Sequence, residues 1–126
     1  SALSGVATAL PALLRAEKLQ KRAARTGFDW PDTDGVVAKI EEELKEVAAA
    51  RTSAEYEEEV GDLLFAVVNL ARHLKVDPET ALRRANSKFE RRFRTMEAEG
   101  GLSFAAMPLE DKEALWQSAK SQERTD

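Results

Sequence analysis

An all-α fold is predicted by three observations. Apolar residues recur at helical spacing, no stretch alternates as a half-buried strand would, and start and stop signals divide the chain into segments of helical length. Four main helices of this length suggest an antiparallel four-helix-bundle-like domain, finished by a short C-terminal helix. The chain of 126 residues is long enough for one domain with a core and too short for two, so residues 1–126 are read as a single domain. Its first residue is Ser, which is expected for a fragment of a longer chain.

The elements follow in order. Thr8 is placed to cap a first helix running to about Arg25, with Leu10, Leu13 and Leu14 on one face. Continuing that face gives Glu17, Lys18 and Lys21, so an apolar stripe becomes a charged one. The stretch TGFDWPDTDG carries turn residues and two aromatics, Phe28 and Trp30. A second helix is predicted over about Val36 to Ala50 and a third over about Ala54 to Lys75. In VDP, Asp77 serves as N-cap and Pro78 as the first residue of a long fourth helix reaching about Glu99. GGLSFAAMP interrupts it, and Leu109 to Lys120 form the last short helix, with Trp116 on it.

Composition narrows the function. An apolar share of 43% with 33% charged residues fits a folded soluble protein, and no run approaches the roughly 20 apolar residues of a membrane span. A net charge of −4 argues against a binder of nucleic acid polymers, which needs an excess of Lys and Arg, but leaves room for a small phosphorylated ligand. There is no Cys, so neither disulfides nor thiolate chemistry is available, as suits a cytoplasmic protein.

The acidic residues fall at selected places on the helices. On the second helix Val36, Ile40, Leu44 and Val47 define the expected buried arc, and Glu43 lies only about 60° from its centre. Glu46 and Lys39 share that edge, Glu42 faces farther out, and Glu41 and Lys45 point elsewhere. On the third helix Tyr56, Val60, Leu63, Leu64, Val67, Ala71 and Leu74 form the expected arc. Glu59 sits at its edge, and Asp62, Asn69 and His73 line up with Ala66 on one side, bracketed by apolar residues.

The pairs Glu43/Glu46 and Glu59/Asp62 share i,i+3 spacing, which stacks each pair on one side of its helix. Packed antiparallel, the two helices can bring the pairs together. Carboxylates about 4 Å apart repel by roughly 4 kcal/mol per pair at an effective dielectric near 20, so the cluster asks for cations. Oxygen ligands without His or Cys favour Mg²⁺ or Mn²⁺ over Zn²⁺. An ordinary solvated acidic helix is the competing explanation on spacing alone.

EELKE (Glu42 to Glu46) followed by EVGD (Glu59 to Asp62) resembles the EExxE…ExxD signature of the MazG-type all-α nucleoside triphosphate pyrophosphohydrolases. Pro11 to Trp30, Glu57 to Leu74 and ANSKFERRF (Ala85 to Phe93) are similar to the C-terminal catalytic domain of two-domain bacterial MazG proteins, so the resemblance covers nearly the whole chain. It implies metal ligation by Glu43, Glu46, Glu59 and Asp62, a homodimer, and Mg²⁺-dependent hydrolysis of nucleoside triphosphates to monophosphate and pyrophosphate. It implies broad substrate use in nucleotide-pool house-cleaning, with narrower dNTP pyrophosphatases among the relatives. Asp62 lies well off the expected arc, so its helix needs cover on a second side, which a dimer partner would supply.

For the substrate, Lys39 stacks with Glu43 and Glu46 as a phosphate candidate, with Glu42 beside it, and Lys18 and Lys21 are weaker ones. Asn86 lies within the expected core arc of the fourth helix, formed by Leu82, Ala85, Phe89, Phe93 and Met96, and needs partners for its amide. The resemblance assigns phosphate contacts to Lys88, Arg91 and Arg92 of the KFERR stretch, and a place near the nucleotide to Trp116. Trp30 is the other candidate for stacking on a base, and also a candidate core plug. A carboxylate, Glu43 or Glu46, is placed to take a proton from water. A di-iron bundle needs Glu-x-x-His pairs and meets here a single His73. A helical dimer that binds nucleotide or protein without turnover is the non-enzymatic alternative.

Overall fold

The computed structural model describes residues 1–125. Among them lie five α-helices, α1 (Ala12–Ala24), α2 (Thr33–Ala49), α3 (Ser53–His73), α4 (Pro78–Gly100) and α5 (Leu109–Thr125), a 3₁₀ segment over Gly101–Ala106, and no strand. No helix among the described residues is long and apolar enough to cross a membrane. The chain forms two compact units that meet within α4, one ending at Ala81 and the other beginning at Leu82.

Local chemistry explains most helix limits. Asp32 caps α2, its side chain accepting a hydrogen bond from the Asp34 amide. A full capping box starts α3: the Glu55 amide donates to Thr52 Oγ1, and Glu55 Oε2 accepts from the amides of Thr52 and Arg51. Asp77 accepts from the Glu79 amide and the Thr80 hydroxyl, so Pro78 opens α4 as expected. Three limits differ from expectation, the first being the start of α2, which Asp32 sets at Thr33 rather than about Val36. Thr8 lies in a turn, and α1 begins after Pro11, whose fixed φ suits a helix entry and whose carbonyl takes the Arg15 amide. The last helix is not short: it continues past Lys120 to Thr125, since nothing in KSQERT stops it.

In the first unit residues 50–52 turn α2 back along α3, and α1 packs on α3, with Gln20 Nε2 donating to the Phe65 carbonyl at 2.9 Å. The inward faces are not those the apolar arcs predict. Val36, Ala66 and Val68 are buried, but so are Glu17, Gln20 and Glu43. Of the expected arcs, Leu44, Tyr56, Val60, Leu64, Val67 and Leu74 are exposed. The physical reason is α1. It packs on α3 through Gln20 and the Phe65 carbonyl, with Leu19, Gln20 and Ala23 lining the same cleft as Ala66 and Asn69, while the apolar stripe is left facing outward. In the second unit Met96 and Phe104 are buried, while Leu82, Phe89 and Asn86 are exposed. Asn86 is therefore not a buried amide in need of partners.

Candidate active site

Three carboxylates converge where α2 and α3 lie side by side. Oxygens of Glu43, Glu46 and Glu59 all fall within 4.8 Å of one another. The i,i+3 step presents Glu43 and Glu46 on one side of α2, and the short turn brings the first turns of α3 alongside. Glu43 is 4% exposed. Its Oε1 accepts from Lys39 Nζ at 3.0 Å, and its Oε2 is buried with no partner, as is Oε2 of Glu59. A buried carboxylate oxygen without a partner is costly unless a positive charge completes it.

The crowding shows in the titration of the cluster. Glu59 is pushed up to about 7, first by a hydrogen bond shared with Glu46 and then by burial and the charges of Glu46, Asp62 and Glu43. Lys39 is raised, chiefly by its hydrogen bond to Glu43 and then by the charges of Glu42, Glu43 and Glu46. Orphaned oxygens, a hard all-oxygen donor set and mutual repulsion make the trio fit to hold a metal ion. Asp62, one turn beyond Glu59, lies outside the trio, exposed on the same side and near enough for its charge to act on Glu59.

A cleft of about 820 Å³ begins at this cluster, of the size that takes a small organic ligand. Lys39, Glu43 and Asp62 line its acidic end, and Leu19, Ala23, Phe28, Trp30 and Phe65 supply apolar wall. Glu42, exposed, lies 3.7 Å from Lys39 Nζ. Neither Phe28 nor Trp30 is a core plug: they are 82% and 46% exposed. The loop that carries them is tied to the end of α3. Asp29 accepts from both terminal nitrogens of Arg72, at 2.5 and 3.1 Å, and lies 2.9 Å from His73 Nε2. Arg72 also bonds Asn69 Oδ1 at 2.7 Å. The Arg72 hydrogen bond, helped by His73 and opposed by burial, lowers Asp29 to about 2.

The remaining predicted residues belong to the second unit. Lys88 is exposed. Arg91 and Arg92 each donate through Nε to one oxygen of Glu123, at 3.0 and 2.8 Å, and together hold that carboxylate's pKa down. Two guanidinium groups that share one carboxylate are spaced to grip an oxyanion. Trp116 packs on Phe89 with ring centroids 5.8 Å apart, and the Arg92 guanidinium sits 5.2 Å over its ring. In the first unit, Lys21 pairs with Glu17 at 2.9 Å.

The sequence did not single out Asp29, Arg72 or Gln20. Gln20 had a signal, since it continues the Leu13 and Glu17 face at helical spacing. Asp29 and Arg72 had none, being 43 residues apart.

These features define a class: all-α proteins that can hold a metal ion with helix-borne carboxylates at one end of a partly aromatic cleft. Residues 33–96 match the MazG nucleotide pyrophosphohydrolase domain, and the chain belongs to that family. The nucleoside triphosphate pyrophosphohydrolase of Escherichia coli K12 is 51% identical over 131 residues, covering 98% of this chain and 50% of that protein. The nucleoside triphosphate pyrophosphohydrolase/pyrophosphatase MazG of Thermotoga maritima is 49% identical over 119 residues, covering 92% of this chain and 47% of its own. The uncharacterized protein YabN of Bacillus subtilis is 47% identical over 131 residues, 98% of this chain and 27% of its own. The chain thus spans about half the length of the first two and less of the third.

Proposed function

We propose that the chain is a single catalytic domain that hydrolyses nucleoside triphosphates to monophosphate and pyrophosphate with Mg²⁺, or Mn²⁺ in its place. The observation that carries this is the buried, half-unpartnered Glu43 among three converging carboxylates, at one end of a cleft of nucleotide size. Family membership and two relatives named nucleoside triphosphate pyrophosphohydrolase support it.

Glu43, Glu46 and Glu59 would hold the ion, with Asp62 beside them. When bound, it neutralises charge on the phosphate oxygens and lowers the pKa of water. Lys39, on the cleft wall next to Glu43, turns its ammonium to a phosphate oxygen once the carboxylates are otherwise engaged. Lys88, Arg91 and Arg92, in the second unit, are the residues the family resemblance assigns to phosphate, and the arginine pair has the spacing to grip an oxyanion that it shows with Glu123. Glu42, beside Lys39, and Asn86, exposed on α4, are further substrate candidates. Glu43 or Glu46 accepts the proton of the attacking water. The water oxygen joins the α- or β-phosphorus as the bridging P–O bond breaks, and either route gives the same two products.

The exposed stripe of Leu44, Tyr56, Val60, Leu64 and Val67 supports a homodimer, because a contiguous apolar face of this kind is normally buried against a partner. Broad use of ribo- and deoxyribonucleotides in a cytoplasmic pool follows the family. The test is chromatography of products from a panel of NTPs and dNTPs with Mg²⁺. Monophosphate and pyrophosphate are expected, with Glu43→Gln reduced about 100-fold or more. Calorimetric binding of Mg-nucleotide with no product from any of the panel would establish a non-catalytic binder instead.

A further inference from the structure

Arg91 and Arg92 are neighbours on α4, and their Nε atoms donate to the two oxygens of one carboxylate, Glu123, at 3.0 and 2.8 Å. Successive residues point about 100° apart on a helix, so two guanidinium groups of like charge turn to one spot only around an anion. The carboxylate comes from the inward side of α5, where Trp116 packs on Phe89 and Ala119 is 2% exposed. Glu123 continues that side at helical spacing. Its neighbour Gln122 donates to Glu99 Oε1 at 2.9 Å, so α5 is tied to α4 without the ion pair. Each arginine spends only its Nε on Glu123, and the terminal nitrogens of both make no hydrogen bond among the described residues. The Arg91 side chain is 59% exposed and that of Glu123 28%, so a dissolved anion can reach the pair.

We propose that Glu123 is an internal stand-in for a substrate phosphate: it occupies the arginine pair until a polyphosphate displaces it, and so sets how tightly a nucleotide binds. This deepens the proposed function and rests on it for the identity of the displacing anion. The two contenders are unequal. Glu123 brings one negative charge and two oxygens, whereas a triphosphate brings several charges and has oxygens for the free terminal nitrogens as well. The exchange needs no unfolding, because rotation about the glutamate's side-chain bonds carries its carboxylate into water while Gln122 holds α5. Where carboxylate and phosphate share the pair, their like charges repel, and the effect on affinity keeps the same sign. The arginines meet an oxyanion and neither base nor sugar, so every triphosphate faces the same competitor.

Glu123→Gln keeps the shape and one acceptor oxygen and removes the charge. Inorganic triphosphate, titrated calorimetrically without Mg²⁺, is expected to bind this variant about 10-fold more tightly than the wild type, the order of one unit charge near contact distance. The gain should shrink as salt is raised, since charges this exposed are screened. In steady-state kinetics KM falls by a similar factor for purine and pyrimidine triphosphates alike, with kcat within a few-fold. Arg91→Gln locates the effect, because Arg91 is exposed and its loss spares the packing: in that background Glu123→Gln should lose most of its gain. The stand-in is overturned if Glu123→Gln binds triphosphate no better than the wild type, or less well, which would make Glu123 a brace that shapes the pair. It is equally overturned if the gain survives undiminished in the Arg91→Gln background. Loss of the broader reading looks different: the wild type releases no pyrophosphate from any nucleotide, while the triphosphate titrations still decide what Glu123 does.

Discussion

Glu43 and Leu44 are neighbours on α2, and the fold treats them in opposite ways. The glutamate is 4% exposed and the leucine 52%. The same inversion runs along α3, where Glu59 has a buried oxygen and Val60 and Leu64 face outward. A buried carboxylate and an exposed leucine each cost free energy in an isolated chain. Each face is thus incomplete in its own way: one lacks positive charge, the other lacks apolar surface. Unsatisfied groups of opposite chemistry on two sides of one hairpin point to two different completing partners.

That contrast can be broken from either side. The largest effect is expected at the acidic face, where Glu46→Gln should lower pyrophosphate release about 100- to 10,000-fold, read by product chromatography, with sedimentation velocity unchanged. The apolar face should give the reverse pattern of defects. Leu64→Glu is expected to turn a dimer into a monomer in sedimentation velocity and to abolish the concentration dependence of the Tm. If it sediments like the wild type, the stripe is ordinary surface.

Smaller effects sharpen the same comparison. Mg²⁺ or Mn²⁺ at about 100 times Kd should raise the Tm by roughly 5–10 °C, and much less in Glu59→Gln. Equal shifts in the two proteins would remove the acidic trio as the ion's site. Least of all, Asp29→Asn should lower the Tm at pH 7 by about 1–3 °C. Because folding lowers the Asp29 pKa from its ordinary 3.8 to about 2, this contribution is complete above the higher value and fades as pH falls through the lower. Scanning calorimetry from pH 7 to pH 2 should therefore show the gap between variant and wild type closing at the acid end.

How far the sequence revealed this depends on the range of the interaction. The start of α4 was legible because Asp77 with Pro78 acts within four residues of the helix it opens, whereas Asp32 and the Thr52/Glu55 box, of equally short range, were not read as caps and α2 was expected from Val36 rather than Thr33. The convergence of Glu43, Glu46 and Glu59 was legible for a similar reason, since one i,i+3 step on α2 and one short turn bring it about, although Asp62, expected with them, lies outside the trio. Which face points inward was not. An apolar arc records that a surface needs burying but not by which chain, and α1 packs on α3 through Gln20 and the Phe65 carbonyl while the stripe stays exposed. The Asp29–Arg72–His73 clamp joins a loop to the far end of α3, and nothing local announces it.

The capping box at the start of α3 has a consequence for length. Ala50 is buried, and Glu55 reaches back to the amides of both Arg51 and Thr52, so the turn between α2 and α3 has no slack. A residue inserted there must loop out, or it rotates α3 by about 100° and carries Glu59 away from Glu46. The turn therefore sets the phase of one helix against the other: its side chains can vary wherever the cap survives, but its residue count cannot.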